Sequence, residues 1–80
     1  MSREADSDLD YEQLHLVKMA NQIAANVPNR SNIATEVSNH MRTFWTPVMR
    51  RDITTIAQGN PNMLEPEVLA ALDQLQTVEA

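Results

Sequence analysis

The sequence lacks cysteine and contains one glycine in 80 residues. Without cysteine there is no disulfide, no thiolate zinc site and no cysteine nucleophile, a composition that fits a reducing compartment. With one glycine, no glycine-rich loop can hold a phosphate group. A chain of this size forms one small domain at most, and without a covalent or metal staple its core rarely supplies more than about 3–5 kcal/mol of net stability.

Long apolar runs are also absent. No segment approaches the roughly 20 apolar residues that cross a membrane. The first ten residues, MSREADSDLD, are polar where a signal peptide would be apolar. We therefore expect a soluble cytoplasmic protein that does not bind membranes.

Charge is distributed unevenly along the chain. Residues 1–13 carry one arginine against five carboxylates, and residues 59–80 carry four carboxylates and no basic residue, so each segment has a net charge of −4. The segment between them holds five basic residues against two acidic ones, a net charge of +3. The overall charge of −5 disfavours general nucleic-acid binding. This segregation predicts either solvated helix faces with an acidic tail or a surface that attracts a protein partner.

The spacing of the apolar residues predicts an all-α fold, a small bundle of about four short helices with frayed acidic termini. Apolar positions recur three and four residues apart, and few β-branched residues alternate with polar ones. We predict a first helix over 11–27, a second capped by Asn29, Ser31 or Asn32 and ending at Trp45 or Thr46, a third from Pro47 to Gly59, and a last from Pro66 to about Gln76. Thr46 should cap the third helix, and Gly59 should end it in a left-handed conformation.

These boundaries divide the chain into three parts. Residues 1–10 are predicted to form a flexible acidic tail, residues 11–76 the helical domain, and residues 77–80 a frayed C-terminus.

Two apolar stripes outline the predicted core. The stripe on the first helix consists of Leu16, Val17, Met19, Ala20, Ile23, Ala24 and Val27. The stripe on the second helix is the narrower line Ile33, Val37, Met41 and Phe44. Tyr11 and Leu14 fall outside the first stripe, where they either pack on each other or contact a second molecule.

Phe44 and Trp45, the only phenylalanine and the only tryptophan, stand side by side before a Thr-Pro step. Burying either ring is worth roughly 3 kcal/mol or more, which is comparable with the net stability of the whole domain. Phe44 lies on the apolar line and is predicted to be a core residue. Trp45 lies at the border of that line, where a lid over the core and an exposed contact residue both remain open.

Residues that support catalysis or metal binding are few. Glu36 and His40 lie four positions apart on one helical face, but zinc needs at least three protein ligands, and His15 lies on another helix. No local arrangement predicts a nucleophile with its base. We therefore predict no catalytic, cofactor-binding or metal-binding residue, and a protein that is not itself an enzyme.

The arginines around the turn between the second and third helices allow an alternative. Arg42, Arg50 and Arg51 flank a short turn, as in a small helix-turn-helix DNA-binding regulator. The third helix offers two arginines, one aspartate and no lysine, fewer phosphate-binding groups than recognition helices usually carry. DNA binding is kept as the alternative function.

Three segments are similar to a known family. LVKMANQIAANV at 16–27, HMRTFWTPVMRRDI at 40–53 and LEPEVLAAL at 64–72 resemble, in this order, the delta subunit of NAD-dependent, molybdenum-containing formate dehydrogenases. The resemblance spans about residues 14–72, and Asn-Gln followed in the next helix by Phe-Trp-x-Pro is a combination that no simple helical pattern requires. Glu65 stands where the family pattern more often has a capping Asp, and the acidic N-terminal tail is outside the motif.

The resemblance implies a non-catalytic accessory subunit that docks on the large molybdenum-containing catalytic subunit and supports its assembly, stability or cofactor maturation. In the family, molybdopterin-guanine dinucleotide, iron–sulfur clusters, FMN and NAD belong to other subunits, so none is expected in this chain. A homodimer of the isolated chain stays open. The residues then predicted to bind the partner are Asn21, Gln22, Arg42, Phe44, Trp45, Pro47, Met49, Arg50 and Arg51.

Overall fold

The structure, a computed structural model, describes residues 9–79, with side chains as far as Gln76. Four α-helices make up most of this range: α1 (Tyr11–Ala25), α2 (Ile33–Phe44), α3 (Pro47–Gly59) and α4 (Pro66–Glu79). Short 3-10 turns, Arg30–Asn32 and Pro61–Met63, precede α2 and α4. No strand occurs between residues 9 and 79, so the prediction of a small all-α bundle is confirmed. Within the same range, no helix is both long enough and apolar enough to cross a membrane.

A reciprocal pair of hydrogen bonds starts α1. The Gln13 backbone N–H donates to Asp10 Oδ1 at 2.8 Å, and the Asp10 N–H donates to Gln13 Oε1 at 2.9 Å. This capping box satisfies two N–H groups at the helix start that have no helical partner. Leu9, just before it, is buried against the core. Residues 1–8 of the predicted tail, and Ala80 of the predicted frayed end, lie outside the described residues.

The corner between α2 and α3 is built as predicted. Thr46 is extended (φ −72°, ψ 160°) because the ring of Pro47 excludes the helical conformation in the residue before it. The Thr46 Oγ1 accepts the Met49 N–H at 3.1 Å and so caps α3. Pro47 takes the first helical position, where its missing N–H has no cost.

The end of α3 differs from the prediction. Gly59 does not have a positive φ. The Asn60 N–H continues the helical pattern and donates to the Ile56 carbonyl at 2.7 Å. The chain then enters the second 3-10 turn at Pro61 without a left-handed residue. The left-handed conformation predicted for Gly59 is therefore wrong.

The core lies between the helices and is almost entirely apolar. The most extensive helix contact joins α2 and α4. The fully enclosed apolar residues of the core come from all four helices and are Ala20, Val37, Met41, Ile53, Val68 and Ala71. Ser38 is the buried polar residue among those described, and its Oγ lies 3.1 Å from the Thr35 carbonyl and 3.3 Å from Gln74 Oε1. Polar atoms thus also connect α2 to α4.

The core does not cover the whole apolar stripe of α1. The buried residues of this helix are Leu16, Val17, Ala20 and Ala24. Met19 and Ile23 are only half-buried, although they belong to the same stripe. Leu14 packs partly against the core, whereas Tyr11 is 83% exposed. One edge of the stripe therefore remains open to solvent.

The two adjacent rings take opposite positions. Trp45 is 5% exposed and lies in the core, whereas Phe44 is 70% exposed and contacts the His40 ring, with centroids 4.8 Å apart. Phe44 is the last helical residue of α2, whereas Trp45 is already extended (φ −92°, ψ 144°), so the two side chains leave the backbone in different directions. The prediction that Phe44 is a core residue is wrong, and Trp45 occupies the position of a core lid.

Alanine substitutions should separate the two rings. Trp45→Ala removes a core side chain, and such truncations cost about 3–5 kcal/mol, as much as the core of so small a domain supplies. We expect this variant to lose its helical far-UV circular dichroism at room temperature. Phe44→Ala, the matched control, removes an exposed ring and should lower the free energy of unfolding by at most about 0.5 kcal/mol. Equal unfolding midpoints for the two variants would contradict this assignment.

Candidate partner-binding site

The residues predicted to bind a partner do not form one surface. Gln22 and Phe44 line a groove between α1 and α2, and Met49 lines a second groove between α1 and α3. Pro47 and Arg51 lie on a third surface, which α3 shares with α4. The predicted corner is thus divided between the two grooves beside α1 and the surface that α3 shares with α4, and its role in partner binding stays a prediction.

Arg50 acts within the fold. Its Nη1 donates to the Trp45 carbonyl at 2.8 Å and lies 3.4 Å from the Met41 carbonyl and 3.5 Å from the Arg42 carbonyl. The last carbonyls of a helix have no partner inside it, and a cation near them also interacts favourably with the helix dipole. Arg50 therefore caps α2 from α3 and fixes the corner between them.

The other two arginines of the corner differ in environment. Arg42 is half-buried, and its Nη1 donates to Asn39 Oδ1 at 2.8 Å on the same helix. Arg51 is exposed and lies beside Thr55 on the surface shared with α4. Since Arg50 points into the corner, the three guanidinium groups do not make one basic patch.

Asn21 connects two distant parts of the chain. Its Nδ2 donates to the Met63 carbonyl at 3.0 Å, and its Oδ1 accepts the Glu65 N–H at 2.9 Å. These bonds hold the segment before α4 against α1. Gln22, the next residue, is exposed and lines the groove between α1 and α2. Asn21 therefore holds the fold together, whereas Gln22 is available on the surface.

The groove between α1 and α2 has a volume of about 640 Å³. Met19 and Ile23 line its α1 side, and His40 and Phe44 line its α2 side. Glu36 is the charged residue of this lining. Among the side chains of residues 9–76, no group of three or more histidine, cysteine, aspartate or glutamate residues could hold a metal ion. The groove thus combines apolar side chains with uncharged polar ones, a lining suited to binding another molecule.

The groove between α1 and α3 has a volume of about 530 Å³. Met19 lines this groove as well, opposite Val48 and Met49 of α3. Val48 is 53% exposed. The carboxylates of this lining are Asp10, Glu12 and Asp52. Because Met19 belongs to both linings, the two grooves share a wall on α1.

Sequence reasoning missed Met19, Ile23 and Val48 as surface residues. Met19 and Ile23 have the same helical periodicity as the buried residues of α1, and periodicity does not tell which edge of a stripe the neighbouring helices cover. A signal for Val48 does exist in the sequence. Val48 lies about 100° away from Met49 around α3, and it therefore falls outside the apolar stripe that Met49 and Ile53 form.

The chain is thus a small all-α domain with exposed apolar surface. It has four short helices, a core closed by one tryptophan, and two open grooves. The sequence profile of the NADH-dependent formate dehydrogenase delta subunits, FdsD, matches residues 15–72. The chain belongs to this family, and the resemblance found in its sequence is confirmed. Neither the curated proteins nor the solved structures include a match. As a formate dehydrogenase delta subunit, the chain has a catalytic partner in its complex.

Removal of the Asn21 side chain should loosen the segment before α4. Asn21→Ala leaves the Met63 carbonyl and the Glu65 N–H without their partner, and we expect it to lower the free energy of unfolding by about 1–2 kcal/mol. Gln22→Ala, one residue away and exposed, should change it by at most about 0.5 kcal/mol. Urea unfolding followed by circular dichroism measures both values. A Gln22→Ala effect as large as that of Asn21→Ala would contradict the structural role of Asn21.

Proposed function

We propose that this chain is a non-catalytic accessory subunit of a cytoplasmic formate dehydrogenase. It docks on the large molybdenum-containing catalytic subunit and supports the assembly, stability or cofactor maturation of that subunit. Membership of the delta-subunit family supports a role inside the complex.

The exposure of Phe44 is the observation that carries the docking. This ring is 70% exposed, and Tyr11 is 83% exposed, so two of the three aromatic residues in the chain remain in water. Phe44 and Tyr11 each line a groove beside α1 that also contains half-buried apolar side chains, and exposed apolar surface of this kind is typical of sites that bind another molecule. An accessory subunit with a large partner has a use for such a surface.

The composition supports a chain without a cofactor of its own. Iron–sulfur clusters are held by cysteine thiolates, and this sequence has no cysteine. Nucleotide cofactors are commonly bound by glycine-rich loops, and the one glycine, Gly59, ends a helix. We propose that molybdopterin-guanine dinucleotide, the iron–sulfur clusters, FMN and NAD are held by other subunits.

The alternative, a helix-turn-helix regulator, has less support. DNA binding requires several cations on one face. Arg50 is directed at the carbonyls of α2, Arg42 bonds to Asn39, and the exposed Arg51 is followed by the exposed Asp52. The corner thus offers few groups for phosphate contact.

Reconstitution with and without this chain tests the proposal. We expect the chain to co-purify with a tagged catalytic subunit and to turn over no formate alone. Omitting it should lower the yield of active complex, or its molybdenum content per catalytic subunit. The measurements are co-purification, formate-dependent reduction of NAD, and metal analysis of the purified complex.

Two outcomes would contradict the docking role. One is a chain that does not co-purify with the catalytic subunit. The other is a complex whose yield, activity and molybdenum content are unchanged when the chain is omitted. Retardation of duplex DNA by the isolated chain, with affinity that falls steeply as salt rises, would favour the regulator instead.

A further inference from the structure

We infer that the docking surface is the side of α1 that lies open between α2 and α3, and that its occupant is an apolar segment of the catalytic subunit flanked by lysines or arginines. We call this surface the α1 face. This inference rests on the proposed function and adds the position and the chemistry of the contact. It places the contact away from Arg51, on a surface with no lysine or arginine in its lining.

The α1 face runs along most of the helix. Glu12, His15, Met19 and Gln22 of α1 and its C-cap residue Asn26 follow one another at spacings of three or four and line the grooves, as does Ile23, four positions after Met19. Residues at these spacings lie on one side of a helix, and the rise of 1.5 Å per residue gives the face a length of about 20 Å. The two grooves are therefore consecutive parts of one surface, joined at Met19.

Apolar side chains concentrate on the α1 face. The exposed large hydrophobic residues among residues 9–76 are Tyr11, Phe44 and Val48, and each of them lines one of the two grooves. Met19 lies between the grooves and is half-buried. Its unbranched thioether adapts to the shape of a partner more readily than a branched side chain does. The fold thus leaves each of these uncovered apolar side chains in one of the two grooves beside α1.

Carboxylates line both grooves of the α1 face. Three line the groove between α1 and α3, and Glu36 lines the groove between α1 and α2. No lysine or arginine lines either groove, and Lys18, the basic residue of α1, belongs to neither lining. A face with this charge attracts cations to its edges and repels anions.

Charge argues against two other occupants of the face. The N-terminal residues 1–8 carry Arg3 against three carboxylates, a net charge of −2. A second copy of the chain would bring the same carboxylates opposite each other. Like charges that face each other across an interface oppose association. An apolar segment with flanking cations complements both the surface and its rim.

Binding kinetics with the purified catalytic subunit test the inference. For the wild-type chain, the association rate should fall as salt rises, because salt screens the attraction between the acidic rim and the basic flanks. Phe44→Ala should weaken affinity by about tenfold or more, mainly through faster dissociation. Asp52→Lys should slow association and reduce its dependence on salt.

Two control variants come from the same helix as Asp52. Arg51→Ala and Thr55→Ala change the surface that α3 shares with α4, and both should bind as the wild-type chain does. Phe44, Arg51, Asp52 and Thr55 are all exposed, so none of these substitutions should disturb the core. Far-UV circular dichroism verifies that each variant is folded.

The outcomes separate this inference from the proposed function. If the wild-type chain does not bind the catalytic subunit, the proposed function fails. If the wild-type chain binds, two results would leave the proposed function standing and overturn the assignment of the contact to the α1 face. One is that Phe44→Ala and Asp52→Lys bind as well as the wild-type chain. The other is that only Arg51→Ala binds more weakly. An isolated chain that forms dimers, which Phe44→Ala dissociates, would assign the face to a second copy and also overturn the inference.

Discussion

The core of this domain encloses Trp45 and leaves the adjacent Phe44 outside, and the corner between α2 and α3 depends on this arrangement. Trp45 enters the core as the chain leaves α2, and Phe44 consequently points into solvent. Thr46 and Pro47 then start α3 at once, so the corner is short and its geometry is fixed by local chemistry. The exposed ring is thus a consequence of how the corner closes.

Two arginine side chains stabilise this arrangement at the ends of helices. Arg50 caps α2, and Arg30 caps α1 in the same way, with its Nη1 donating to the Ala24 carbonyl at 3.0 Å and the Val27 carbonyl at 3.1 Å. Each cation meets carbonyl groups that no helical N–H can reach. Arg50, one of the residues predicted to bind the partner, therefore has a structural role in the fold.

Much of the architecture could be predicted from the sequence because it depends on local interactions. The all-α class follows from apolar spacing, the start of α3 from Thr46 and Pro47, and the family from three short segments. The choice between Phe44 and Trp45, in contrast, depends on where neighbouring helices lie. The same is true of Met19, whose periodicity is that of a core residue and whose exposure is decided by the gaps beside α2 and α3.

Asn21 shows a consequence of the topology for the order of folding. It bonds to backbone groups 42 and 44 positions further along the chain. Closing so long a loop costs more conformational entropy than forming a helical turn, and contacts of this range slow the search for the native state. We expect α1 to dock late in folding, once the helices that follow it have formed.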